Sequence, residues 1–203
     1  MCVSYKMKYD DSQDLIKAAY KKFAPDGKMD ILQFSKLASN VIKFSDEIAD
    51  KKNKRKSGAN STIDPGVLAA VFAYYDNKSL GWLGINEVIK WWNDPCKLFI
   101  FSLKGGKVMK DAYEFFIHNS TKSDGISMKV TDTGSVKLGS VKITSMTEYI
   151  PRIMTFSQFE NFLDSHEISH NDTTFDQHDA NEDGLLNFCE FVNWLGWIKQ
   201  ATK

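Results

Sequence analysis

The chain has no surplus of charge: 26 Lys and Arg face 26 Asp and Glu, a formal net charge of zero over 203 residues. No global basic field draws it to nucleic acid. Neutrality also argues against many working metal loops, since each one concentrates carboxylates. No apolar run approaches the roughly 20 residues that span a bilayer. Met1-Cys2-Val3-Ser4-Tyr5-Lys6 lacks the apolar core of a secretory signal and the Gly after Met1 that myristoylation requires. The cysteines, Cys2, Cys96 and Cys189, are odd in number and scattered, which fits a reduced compartment better than a disulfide framework. The expectation is an intracellular, cytoplasmic chain. No nucleophile elbow, phosphate loop or dinucleotide fingerprint occurs, so no enzymatic role is expected. What the chain does have is apolar content of 42% with 14 Phe, 7 Tyr and 5 Trp, ample for a core.

One stretch carries most of the chemical information: Asp179-Ala180-Asn181-Glu182-Asp183-Gly184-Leu185-Leu186-Asn187-Phe188-Cys189-Glu190. Oxygen-bearing side chains recur at its first, third, fifth, ninth and twelfth places, with Gly sixth. Phe175 lies four residues before it and Phe191 directly after. The stretch resembles the calcium loop of the EF-hand superfamily. The resemblance implies that Asp179, Asn181 and Asp183 offer side-chain oxygens and Leu185 its backbone carbonyl. Asn187 would reach the ion directly or through water, and Glu190 would close the site with both carboxylate oxygens. Gly184 allows the sharp turn, and Leu186 is expected to pair with a partner loop. An all-oxygen set with a bidentate end suits Ca2+, a hard cation that takes six to eight oxygens.

Such units work in pairs, and three weaker copies can be found by spacing. The second runs Asp76-Asn77-Lys78-Ser79-Leu80-Gly81-Trp82-Leu83-Gly84-Ile85-Asn86-Glu87, with Phe72 before it and Val88 after. Lys78 and Leu80 stand where ligands belong, so this loop is expected to keep the shape and bind nothing. Near the amino terminus Gly27 falls sixth, Met29 eighth and Gln33 twelfth, which places Lys22, Ala24 and Asp26 at the first, third and fifth positions. That loop should not bind calcium, and Met29 is expected to pair with the backbone around Leu83. The remaining copy is split. Phe116, Ser120 and Gly125 begin it, and Met154 with Gln158-Phe159 ends it. An insertion of about 126–152 lies between, where alternating apolar residues and Asp132-Thr133-Gly134 point to a hairpin or meander.

Nearly the whole chain thus resembles a calmodulin-like arrangement of four hands, three of them degenerate. The implied fold is mainly α, two paired helix–loop–helix lobes with a β-hairpin insertion in the third hand. The expected division is 1–95 and 96–203. Helices are expected from Asp10 or Ser12 to Phe23, from Ile31 to Ala49, and from Asp64-Pro65, where Pro suits the first helical position. Asn93-Asp94-Pro95 should stop the helix of Trp91 and Trp92, and Pro95 to Gly106 reads as a hinge. A hydrophilic linker over 50–60 carries Lys51, Lys52, Lys54, Arg55 and Lys56, a solvated tether or a contact for acidic lipid or an acidic partner. The last helix aligns Phe191, Trp194, Leu195 and Ile198 on one stripe, with Trp197 off it.

His166-Glu167-Ile168-Ser169-His170 spells a zinc-protease motif, but that chemistry needs both His on one continuous helix. A helix ending near Asp164 and a new start at Ser169, leading by a short helix into the 179–190 loop, would exclude it. The favoured reading is a calcium sensor or adaptor with one working site, whose partner is a protein reading a calcium-dependent apolar surface. A scaffold with one constitutive stabilising ion is the alternative. A small-ligand carrier rests only on aromatic content, which cores of this kind already explain.

Overall fold

The computed structural model describes residues 9–41, 63–95, 103–122, 137–138, 141–142, 149–168 and 174–201. The described chain is mainly helical with a small three-stranded sheet. In order it forms α1 (Tyr9–Phe23), α2 (31–41), α3 (Pro65–Tyr75), α4 (Ile85–Asn93), α5 (Leu103–Asn119), β1 (Thr121–Lys122), β2 (Lys137–Leu138), β3 (Val141–Lys142), β4 (Arg152–Thr155), α6 (Phe156–Ser165), β5 (Leu185–Leu186) and α7 (Phe188–Ala201). Among the described residues no helix is long and apolar enough to cross a membrane.

Helix α3 organises the molecule. Its sequence, PGVLAAVFAYY, carries no charge, and Val67 to Ala73 and Tyr75 are all buried. A helix that is apolar all round must be enclosed. It packs on α4 within its own half and on α5 and α7 of the other, so the halves at 1–95 and 96–203 meet across it. Asp64 caps it as the Asp-Pro pair suggests, accepting from the amides of Gly66 at 2.7 Å and Val67 at 3.1 Å. In the first half Phe34 stacks edge-on against Phe72 at 5.8 Å and Trp91 at 5.0 Å. In the second, Trp194 meets Phe159 at 5.2 Å and Phe162 at 5.5 Å, while Phe191 meets Phe116 at 5.2 Å.

Three of the loop glycines share one backbone conformation among the described residues. Gly27, Gly81 and Gly184 have φ of 79°, 80° and 77°, left-handed values that Gly adopts without a Cβ penalty. Met29 and Leu83 form a two-way bridge, amide to carbonyl at 3.0 and 2.8 Å. Met154 faces Leu186 across β4 and β5 in the same manner. All four side chains are fully buried. One residue after each comes a helix cap: Asp30, Gly84, Thr155 and Asn187. Three of these make reciprocal capping boxes, with Gln33, Gln158 and Glu190. Gly84 has no side chain to do so, and a Cβ there would meet Glu87 Oε2 at 2.7 Å.

Several expectations need correction. Helix α1 ends at Phe23 as expected, so Lys22 lies in the helix and not at the first loop position, and the Ala24 amide donates to the Tyr20 carbonyl at 2.8 Å. That bond matches Asp76 to Phe72 at 2.9 Å and Asp179 to Phe175 at 3.0 Å. The first loop therefore starts at Ala24 and is two residues shorter than loops 76–87 and 179–190. Pro25 explains the exit, since it disfavours helix at the residue before it. The split loop also departs earlier than 126. β1 already pairs antiparallel with β4, Thr121 opposite Ile153 and Lys122 opposite Arg152. Gly125 lies outside the described residues. The return of the insertion is core rather than appendage: Tyr149 is buried, with its ring 4.8 Å from Phe72, and Arg152 Nη1 donates to the carbonyls of Ile117 at 3.1 Å and Ser120 at 3.0 Å. A hairpin pair does occur in the insertion, β2 with β3, separate from the three-stranded sheet. The turn expected at Asp132-Thr133-Gly134 lies outside the described residues. The hinge expected over Pro95–Gly106 is already helix from Leu103. The second helix is described only to residue 41, and the basic run Lys51–Lys56 lies outside the described residues.

Candidate metal centre

Loop 179–190 is wound around its own carboxylates. Asp179 is buried, its Oδ1 accepting the Asp183 amide at 3.2 Å and its Oδ2 the Gly184 amide at 2.8 Å. Asn181 Oδ1 accepts the same Asp183 amide at 3.0 Å, and Asp183 Oδ1 accepts the Leu185 amide at 2.9 Å. These short side-chain-to-backbone bonds are the local turn chemistry of Asx residues. They require left-handed backbone at Glu182, φ 57°, and at Gly184. Asn181 Nδ2 donates to Asp183 Oδ2 at 3.0 Å.

Glu190 closes the loop. Its Oε2 accepts the Asn187 amide at 2.9 Å and its Oε1 reaches back to the Ala180 amide at 3.1 Å. The carboxyl group is held above its ordinary range by burial first, and then by the charges of Asp179 and Asp183, against the two amide bonds. Asn187 caps α7 through Oδ1, 3.0 Å from the Glu190 amide, and its Nδ2 donates to the Asn77 carbonyl at 2.7 Å. Leu185 lies in β5 opposite Thr155 of β4.

Asp179, Asn181, Asp183, Leu185, Asn187 and Glu190 therefore occupy one loop. The donor chemistry fits a hard cation: every candidate ligand offers oxygen, and each carboxylate oxygen engaged by one amide keeps a further lone pair. Among the described residues no three His, Cys, Asp or Glu side chains are gathered tightly enough to hold a metal by themselves. The carboxylates are turned to backbone amides, and the donor set depends on amide and carbonyl oxygens as well. The approach to the loop differs from expectation. Residues 174–178 form a single turn rather than a helix, with the Phe175 carbonyl accepting the amides of both His178 and Asp179.

Loop 76–87 repeats the first two bonds and then diverges. Asp76 Oδ1 accepts the Leu80 amide at 2.9 Å and Oδ2 the Gly81 amide at 2.8 Å. Lys78 and Leu80 supply no oxygen, as the sequence indicates. The Tyr149 hydroxyl, from the other half, donates to Asp76 Oδ2 at 3.3 Å. Burial pushes Asp76 up to about 6, with a further contribution from the Glu87 charge and opposition from its three donors. The zinc-protease motif is not assembled: α6 ends at Ser165, Glu167 has φ 56°, and the His166 ring packs on Phe162 at 4.7 Å. Ser169 and His170 lie outside the described residues.

Sequence reasoning missed Asn77 and Tyr149, which join the loops of the two halves, and Arg152, which ties β4 to the end of α5. Nothing in their local pattern marks them, because their partners lie at separations of 110, 73 and 35 residues. Comparison with protein-family profiles, curated proteins and solved structures finds no match to this chain.

Proposed function

We propose that the chain is a calcium-binding protein of the EF-hand type with one working site, loop 179–190, acting as a sensor or adaptor. The observation that supports this best is the loop itself. Five side chains and a left-handed Gly184 wind the backbone about three carboxylates, and Glu190 is folded back from the start of α7 to the start of the loop. Asp179, Asn181, Asp183 and Glu190 would hold the ion through side-chain oxygens and Leu185 through its carbonyl, while Asn187, with its Oδ1 on the Glu190 amide, would reach the ion through water. A bound divalent cation supplies the positive charge that offsets carboxylate repulsion in a half-buried loop. Glu190 is the third residue of α7, so any shift of its carboxylate moves that helix, and with it Phe191 and Trp194. The partner would be a protein that reads the apolar surface exposed by such a shift.

A second reading, one permanent stabilising ion in a scaffold, is favoured by the enclosure of Phe191 and Trp194, 0% and 1% exposed. Stopped-flow and equilibrium optical titrations separate the two. A sensor changes Trp emission and takes up an apolar dye at about 10⁻⁷–10⁻⁵ M calcium, with magnesium a poor substitute. Calcium binding with both signals flat leaves the scaffold reading.

A further inference from the structure

Asn187 is committed at both ends of its side-chain amide. Its Oδ1 caps α7 by accepting the Glu190 amide, and its Nδ2 donates to the Asn77 carbonyl at 2.7 Å, in a residue only 5% exposed. The three equivalent cap positions are Asp30, Gly84 and Thr155, and none of them carries an amide donor. Among the described residues only this cap side chain also grips another loop, and that loop belongs to the opposite half of the chain.

We propose that loop 76–87, which has no ligand set of its own, sets the calcium affinity of loop 179–190 by holding Asn187 in place. The proposal rests on the calcium reading of loop 179–190 and assigns its regulation. Asn187 acts as a positioning residue: it bonds to Glu190 twice, through its Oδ1 and through its own amide, so the place of the Glu190 carboxylate follows the place of Asn187. Asn77 in turn is fixed without any ion. Its neighbour Asp76 is held by the amides of Leu80 and Gly81 and by the Tyr149 hydroxyl, and the Asp76 carbonyl accepts the Ser79 amide at 2.9 Å. A loop whose carboxylate is already satisfied is a rigid abutment, and Lys78 and Leu80 cost it nothing in that role. Tilting the first turn of α7 away from Asp179 would break a half-buried hydrogen bond. The Asn77 carbonyl therefore preorganises the closing ligand. Linkage makes the effect reciprocal, so calcium must also steady loop 76–87.

The test is amide hydrogen exchange of the full chain with and without calcium, beside calorimetry. Asn187→Thr keeps a capping oxygen, as Thr155 does for α6, and removes the donor. The wild-type protein is expected to show calcium-dependent slowing at the Leu80 and Gly81 amides. Asn187→Thr should lose that slowing and bind calcium about fivefold more weakly, the scale of one neutral hydrogen bond. Asn77→Ala, which keeps the carbonyl, should behave as wild type in both. Calcium that slows exchange within 179–190 but leaves Leu80 and Gly81 of the wild type unchanged overturns the coupling, whatever the variant does. So does wild-type affinity in Asn187→Thr. Absence of any calcium binding by the wild-type chain overturns the calcium reading itself, a result distinct from the other two.

Discussion

Asp76 and Glu190 show at the residue scale how burial turns a loop carboxylate into a stability element. The Asp76 pKa stands at about 6 against an ordinary 3.8. Its folded value is raised, so its contribution to stability is complete below about pH 4 and is lost as pH rises through about 6, roughly 3 kcal/mol in all. Asp76→Asn is therefore expected to remove a falling component from the unfolding free energy between pH 4 and 7. Denaturant melts of both proteins across that range check this, and parallel curves would refute it. The side chains filling the core are equally specific. Trp194 is enclosed by Phe159, Phe162 and Phe191, and Trp194→Ala should cost about 3–5 kcal/mol. Guanidinium denaturation measures this, and a loss below 1 kcal/mol would show the site collapsing or the packing misplaced. At this scale the sequence was legible where a residue's role is local. Gly27, Gly81 and Gly184 turn the backbone as their spacing indicates, while the caps at Asp30, Thr155 and Asn187 emerge only in the structure. Asn77 and Tyr149 were not legible, because a bond across 110 or 73 residues leaves no trace in local pattern.

Elements were readable wherever punctuation was strong. Asp64-Pro65 starts α3, Asn93-Asp94-Pro95 stops α4, and Met29 and Leu186 find their partners Leu83 and Met154. Misreadings arose where counting by a fixed repeat competed with local sterics. Pro25 shifted the start of the first loop from Lys22 to Ala24, although α1 ends at Phe23 as expected, and a two-residue strand at Thr121 replaced the start of a loop. The insertion holds the expected hairpin pair, but its return half carries Tyr149 into the core and sets Arg152 against the end of α5. Two variants separate its parts. Replacing residues 126–146 with a short Gly-Ser link keeps both residues and should leave the denaturation midpoint nearly unchanged, since β2 and β3 pair only with each other among the described strands. Tyr149→Ala removes a buried ring and a donor to Asp76, and should destabilise by about 3 kcal/mol. Loss of folding in the first variant, or a neutral second, would reverse that assignment.

On the scale of the whole molecule, α3 binds the halves together. A segment so apolar could not stand in a separate small lobe with one face in water. Its burial against α5 and α7, with the bonds from Tyr149 to Asp76 and from Asn187 to Asn77, makes the halves interdependent. Unfolding should therefore be one cooperative transition, with midpoints that coincide for Trp91 in the first half and Trp194 in the second. Single-Trp variants followed by fluorescence would reveal two transitions if the halves were independent.

The central claim is that loop 179–190 holds one calcium ion closed by Glu190. Isothermal calorimetry of the full chain and of Glu190→Gln tests it most directly. The expected result is one ion per wild-type chain with affinity in the micromolar region, and loss of tight binding in Glu190→Gln. Two sites of similar affinity, no binding at all, or a Glu190→Gln protein that binds as the wild type does would contradict it.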